Sequence, residues 1–299
     1  MTTRIVSYSE LTTARRCSLK HELAYVDRFS RPTDPMSALG KGSAWHQVLE
    51  THYNVLKQAQ GHYRDEEVLI RCREAVHKDL EAMPPDLAQL IVWMYEGYVS
   101  LYGTDPGWKV LAVEHAAQIR LPTPRGTPSS FYLKMKIDLV VRERRTGHVR
   151  LVDHKSGKDL PGAKVLEMDD QFPLYVWGMR QLGRPVHSAY YSAARTLRLE
   201  ADKKNPGATP LDERFSRIPM YLTDKHLAEV VRDAYLTART RYSEQAMARR
   251  LGIDSPRSPD PMSCQWQCDF FEPCMAGRKG IPIRPFLRDK GFESHPERH

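Results

Sequence analysis

Residues 131–155 read FYLKMKIDLVVRERRTGHVRLVDHK, and this stretch decides the fold. Over 131–142, Leu133, Met135, Ile137, Leu139 and Val141 alternate with Tyr132, Lys134, Lys136, Asp138 and Arg142. A period of two places the first set on one face of a strand and the second on the other. The RRTG that follows, closed by Gly147, supplies turn chemistry, so HVRLVDHK at 148–155 returns as the partner of a hairpin. Upstream, Val113, Ala117, Ile119 and Leu121 give residues 109–121 the same alternation, a further strand. Downstream, residues 169–182 take helical spacing, with Asp169 and Asp170 at the start and Pro173 tolerable only in a first turn. VHSAYYSAAR at 186–195 returns to strand, and a helix follows at about 223–250.

The first hundred residues have a different period. Trp45, Val48, Leu49 and Leu56 share one face of a helix over 43–59, fed by a flexible turn at Gly40 and Gly42. Val68, Cys72, Val76 and Leu80 mark a second helix over 65–82, and Leu87, Leu90, Ile91, Met94, Tyr98 and Leu101 a third over 86–102. From Met262 onward the chain reads as short loops rich in Cys, aromatics and basic residues. The expectation is an α/β chain, a mixed sheet with a helical N-terminal insertion. It is expected to form a single domain over 1–299, with the helical lobe at 43–105 and the core at 106–200.

Composition narrows the function. In 299 residues there are 45 Lys+Arg against 37 Asp+Glu, a formal charge of +8, which favours a polyanionic partner. No run approaches the ~20 apolar residues of a membrane span, and MTTRIVSYSELTTARRC has no apolar signal core, so a cytoplasmic protein is expected. No Walker loop occurs, so no helicase motor is expected in this chain. Five unevenly placed cysteines exclude a disulfide-stapled secreted mini-domain.

Asp153 and Lys155, two apart, point to one face of their strand. The hairpin brings Asp138 beside Asp153, and two converging carboxylates suit a hard cation, Mg²⁺ or Mn²⁺. A lysine alongside can hold a water and stabilise charge developing on a phosphate. Alone, D-x-K also fits an ion pair on a strand surface. Glu50, one turn after His46, and Glu114 are candidate outer-shell or second-metal carboxylates. Cys264, Cys268 and Cys274 form C-x3-C-x5-C, a metal-binding spacing whose fourth ligand candidate is Cys17; Cys72, on the apolar face of its helix, reads as a core thiol. Four thiolates hold either zinc or an iron–sulfur cluster. Seven Lys/Arg lie between Arg142 and Lys164, and Trp266, Phe270 and Phe271 lie among the cysteines, a combination suited to single-stranded DNA.

Four motifs stand in order: Gly42 to His46, Asp138, Asp153-His154-Lys155, and Gln171 to Tyr175. Together they resemble the RecB-like branch of the PD-(D/E)XK nuclease superfamily. The resemblance implies a restriction-endonuclease-like core, a mixed central sheet flanked by helices. It implies that His46, Asp138, Asp153 and the backbone carbonyl of His154 ligate Mg²⁺ or Mn²⁺. Lys155 would position or activate the attacking water, with Gln171 and Tyr175 orienting it and the DNA backbone. One cysteine near the start and three near the end resemble the [4Fe–4S] subset, the AddB-type and CRISPR-associated RecB-like exonucleases. That implies cluster segments at 1–20 and 262–280, although Gln267 adds one residue to the subset's C-x2-C-x5-C. Zinc is the alternative occupant. The activity implied is a DNA exonuclease on single-stranded ends. The alternatives are a structure-specific endonuclease or CRISPR-adaptation nuclease and, from another class, a non-catalytic DNA-binding protein on the same scaffold.

Overall fold

A computed structural model describes residues 3–59, 64–198, 202, 204 and 208–295. In chain order the elements are β1 (Arg4–Ser7), α1 (Tyr8–Arg16), α2 (Ser18–His21) running into a π-helical turn (Glu22–Val26), β2 (Phe29–Ser30), α3 (Ala38–Ala59), α4 (Asp65–Glu81) and α5 (Pro85–Tyr102). Then come β3 (Trp108–Pro122), β4 (Pro128–Glu143), β5 (Val149–Gly157), α6 (Ala163–Leu166), α7 (Gln171–Gln181), β6 (Val186–Arg195), α8 (Leu211–Arg214) and β7 (Phe215–Met220). The chain continues with α9 (Asp224–Leu251), α10 (Pro261–Gln267), α11 (Phe271–Arg278), α12 (Ile283–Asp289) and β8 (Glu293–Ser294). Two compact units share these elements: residues 33–119 with 135–230, and residues 1–32 with 120–134 and 231–299.

The first unit holds the quoted hairpin. β4 and β5 pair antiparallel, β5 and β6 parallel, and β6 and β7 antiparallel, with β3 on the other side of β4. A parallel pair needs a crossover, and α6 and α7 supply it between β5 and β6. The apolar stripes of α3, α4 and α5 explain their docking: Trp45, Val48, Cys72, Ile91 and Met94 are buried in one cluster with Leu139, Val141 and Val152 of the sheet. The mixed sheet flanked by helices is therefore as expected, and Cys72 is a core thiol.

Two local expectations are corrected. Gly40 and Gly42 lie inside α3, which begins at Ala38, rather than in a turn before it. A side chain at Gly40 would strike the Asp34 and Pro35 carbonyls, so the glycine lets the chain fold back tightly against its own helix. The tail after Met262 is not loop but three short helices, α10 to α12. Edge strands β1 and β7 gave too short an alternation to be read, four and six residues.

In the second unit β1 pairs in parallel with Phe131–Lys134 at the start of β4. Leu19, Leu23 and Phe29 bury against Phe270, Ile283, Leu287 and Phe292 of the tail. Phe270 stacks on Phe292 in that core, so it is not the exposed nucleic-acid face expected of it; of the three tail aromatics Trp266 is the most exposed, at 74%. Among the described residues no helix is long and apolar enough to cross a membrane.

Candidate active site

The site forms where β4 and β5 part. Their ladder runs from Arg142↔Val149 to Leu139↔Val152. One step further, Asp138 stands opposite Asp153, and the Asp138 carboxylate takes the place of a ladder carbonyl: the His154 amide donates to its Oδ2 at 2.7 Å. The strand ends thus diverge around two carboxylates without leaving the amide unpaired.

Helix α7 comes in above them. Asp169 Oδ1, one residue before the N-cap Asp170, accepts from the Gln171 amide at 2.8 Å in a turn that fixes where Gln171 emerges. The Gln171 side chain donates from Nε2 to Asp153 Oδ1 at 2.7 Å and accepts at Oε1 from Lys155 Nζ at 3.1 Å. Lys155 Nζ also lies 2.6 Å from Asp153 Oδ2. One amide therefore sets the spacing of carboxylate and ammonium. Tyr175, one turn on and half-buried, feels the same two charges, with the Lys136 backbone amide beside its hydroxyl.

From the other direction α3 brings His46, whose Nδ1 is 3.4 Å from Asp138 Oδ2. Helix and strand face each other here across Gly42, where a Cβ would make only ordinary contact with Ser156 Oγ, at 3.7 Å. Glu114 completes the set from β3. Ligand atoms of His46, Glu114 and Asp138 all lie within 4.8 Å of one another, the grouping among the described residues that fits a metal ion. Glu114 was expected as an outer-shell or second-metal carboxylate, and it stands instead in one group with His46 and Asp138. Its backbone explains the difference: φ is +49° in the middle of a fifteen-residue strand, a left-handed kink that re-aims the side chain. Alternation alone could not have shown this. Lys136 pairs with Glu114 at the exposed edge.

Burial and charge set the protonation. Burial pushes the Asp153 carboxyl up to about 6, against the pull of Lys155. Burial also pushes Asp138 upward, but the His46 ring and the His154 amide outweigh it and hold the carboxyl below the ordinary range. Burial disfavours the Lys155 ammonium, yet Asp153 overrides it and the group is held well above the usual lysine range. Lys155 is thus a cation here, suited to donating hydrogen bonds to oxygen. Burial pushes Tyr175 up to about 12, so its hydroxyl is neutral. The His154 ring turns away from Asp153 into the helical layer, and burial lowers it to about 3. Buried carboxylates plus one imidazole are the donor set a small hard divalent ion prefers, and these residues fit one.

A second cluster lies in the other unit. Cys17 sits between α1 and α2, Cys264 in α10, Cys268 just after it and Cys274 in α11. All four are free, half-buried, and line one cavity of about 480 Å³ with Arg16, Lys20 and Arg278. Among the described residues no three of their sulfurs come within 4.8 Å of one another. Tetrahedral zinc, with bonds of about 2.3 Å, would draw them to about 3.8 Å apart.

The basic run from Arg142 to Lys164 is partly spent inside the fold. Arg150 pairs with Glu143 at 2.9 Å and Lys155 belongs to the site. Arg195 pairs with Asp159.

Comparison with known proteins adds three findings. A family model described as the PD-(D/E)XK nuclease superfamily matches residues 5–274. No curated protein matches the chain. Among solved structures, the crystal structure of SSO0001 is similar at 12% identity and a TM-score of 0.33, covering 75% of this chain and 94% of that one. LHK-Exo in complex with dAMP is similar at 12% identity and a TM-score of 0.29, over 70% of this chain and 97% of the other.

Proposed function

The chain belongs to the PD-(D/E)XK nuclease superfamily, and from that premise we propose that it is a Mg²⁺- or Mn²⁺-dependent DNA exonuclease acting on single-stranded ends. The observation that carries the reading is the pairing of Asp138 and Asp153 at the parting strands, with Lys155 and Gln171 locked onto Asp153. His46, Glu114, Asp138, Asp153 and the His154 carbonyl would hold the ion. When bound it polarises a phosphate and lowers the pKa of a coordinated water. Lys155 donates to the attacking water and to the charge building on phosphate oxygen. Gln171 bridges that ammonium and Asp153 Oδ1, so the Lys155–Asp153 ion pair is held in one geometry. Tyr175, neutral, donates to the DNA backbone. The net charge of +8 and the exposed Trp266 support a single-stranded polyanion, held by cations and base stacking.

The cysteine cavity is read as the site of a [4Fe–4S] cluster, supported by four free thiols lining one cavity; zinc is the alternative. Four free thiols fit a reducing compartment, the cytoplasm. A brown protein absorbing at ~400 nm is expected.

End-labelled linear single- and double-stranded DNA and a closed circle, each with Mg²⁺ and Mn²⁺, test the activity. Linear single strands are expected to be degraded. Asp153→Ala and Lys155→Ala should abolish cleavage while DNA binding persists. Variants that cut like the parent would overturn the assignment. Cleavage of the circle would favour the endonuclease reading, and a parent that binds without cutting the non-catalytic one.

A further inference from the structure

Behind the catalytic strand lies a buried polar cluster that the proposed chemistry does not use. His154, Ser192 and Arg217 are register neighbours on β5, β6 and β7, so they form one row across three strands. Arg217 reaches along this row. Its Nη2 donates to the Tyr53 hydroxyl at 3.0 Å, the Tyr98 hydroxyl at 2.8 Å and Asp105 Oδ2 at 2.9 Å, and its Nη1 pairs with Asp105 Oδ1. The guanidinium lies 3.5 Å from the Tyr102 ring centroid and 4.2 Å from that of Trp108. Tyr53 in turn donates to Asp105 Oδ2 at 2.5 Å, and Asp105 holds a left-handed backbone, φ +50°. The Tyr53 ring stacks on the His154 ring, centroids 5.5 Å apart and planes 19° from parallel. Neither ring nitrogen of His154 meets a hydrogen-bond partner among the described residues, so packing alone holds that ring.

Two facts connect this cluster to the site. His154 sits between Asp153 and Lys155, so fixing its ring fixes the backbone that carries both. Tyr53 is seven residues after His46 on α3, two helical turns, so the contact that seats Tyr53 also sets where His46 meets Asp138. A buried ion pair is a poor source of stability compared with apolar packing of the same volume. Its value here is geometric.

We propose that Tyr53, bolted by Asp105 and Arg217, is a positioning residue for the divalent ion, holding the His154 backbone and His46 at ligand distance. This rests on the metal-dependent reading above. Three variants test it: Tyr53→Phe, which keeps the stacked ring and loses the bolt; Asp105→Asn with Arg217→Met, which removes both charges together; and Arg217→Lys, which keeps charge but loses the planar fork. Mn²⁺ binding to the whole protein without DNA is measured by the electron paramagnetic resonance of the free ion, beside the melting curve. All three are expected to bind Mn²⁺ about tenfold more weakly, the scale of lost outer-sphere support, and to melt cooperatively. The Mn²⁺ needed for half-maximal cleavage should rise by the same factor. Affinity within twofold of the parent in folded variants would overturn the proposal. So would unfolding of all three, which would make the bolt a requirement of the fold rather than of the site. A parent that binds no Mn²⁺, or an Asp138→Ala variant that binds as tightly, would sink the metal reading instead.

Discussion

The carboxylate site and the cysteine cavity are built on opposite plans. Around Asp153 every charged group is already held by protein: Gln171 spans carboxylate and ammonium, and the His154 amide fixes Asp138. The cysteines have no such mutual bonds, and they come from short helices at the two ends of the chain. On the proposed reading, the first arrangement is organised before its ion arrives, and the second would depend on a bound group to hold its walls. Function that must bind and release substrate suits the first plan, and a permanent staple suits the second.

The largest expected difference is in stability. Cys264→Ser should bleach the protein and lower its melting temperature by ~10 °C or more, because guest binding is folding free energy. EDTA, which strips the divalent ion, should shift melting by only ~2 °C at the organised site. Scanning calorimetry of both checks the comparison, and equal shifts would erase it.

Next in size is the bridge that organises the carboxylate site. Gln171→Ala should lower kcat roughly 10- to 100-fold, as lost outer support does, with little change in DNA affinity. Single-turnover cleavage and DNA titration separate the two. A loss of affinity alone would mean that Gln171 touches DNA rather than orders Asp153 and Lys155.

Acid should weaken the sheet side. Burial lowers His52 to about 4 and His154 to about 3. Folded, both stay neutral where the unfolded chain takes protons, so their contribution is complete above pH ~6.5 and falls as pH drops toward those values, at up to ~1.4 kcal/mol per histidine per pH unit. Asp153, raised to about 6, works the other way as pH falls from about 6. Two histidines outweigh one carboxyl, so urea midpoints should decline from pH 6.5 to 4.5. A flat profile would show the histidines less buried than their packing implies.

The smallest effect separates two glycines two residues apart. Gly42→Ala finds ordinary contact distance and gains helix propensity, so its stability should change by no more than ~1 kcal/mol. Gly40→Ala meets two carbonyls and should be clearly destabilising. Chemical denaturation of the pair measures how tightly α3 is seated above β5.

Legibility followed chemistry and period. That Asp138, Asp153 and Lys155 share one place was readable from strand spacing, whereas His46 and Gln171 were named only through the order of the family's motifs. Glu114 was underweighted because its place depends on a positive φ inside a strand, and no side-chain pattern announces that kink. Phe270 was misread because an aromatic beside cysteines looks the same whether it faces solvent or Phe292.

By itself the sequence determined the period-two hairpin, the helical lobe, the order of the four motifs and the count of thiols. These are local properties, set by side-chain alternation and residue chemistry over at most a few turns. Only the tertiary structure decided that Glu114 joins His46 and Asp138, that four cysteines share one cavity, and that Arg217 stands in a row with His154. Each of those depends on register between strands or on packing of segments far apart in the chain, where a shift of one residue would send the same side chains to the other face.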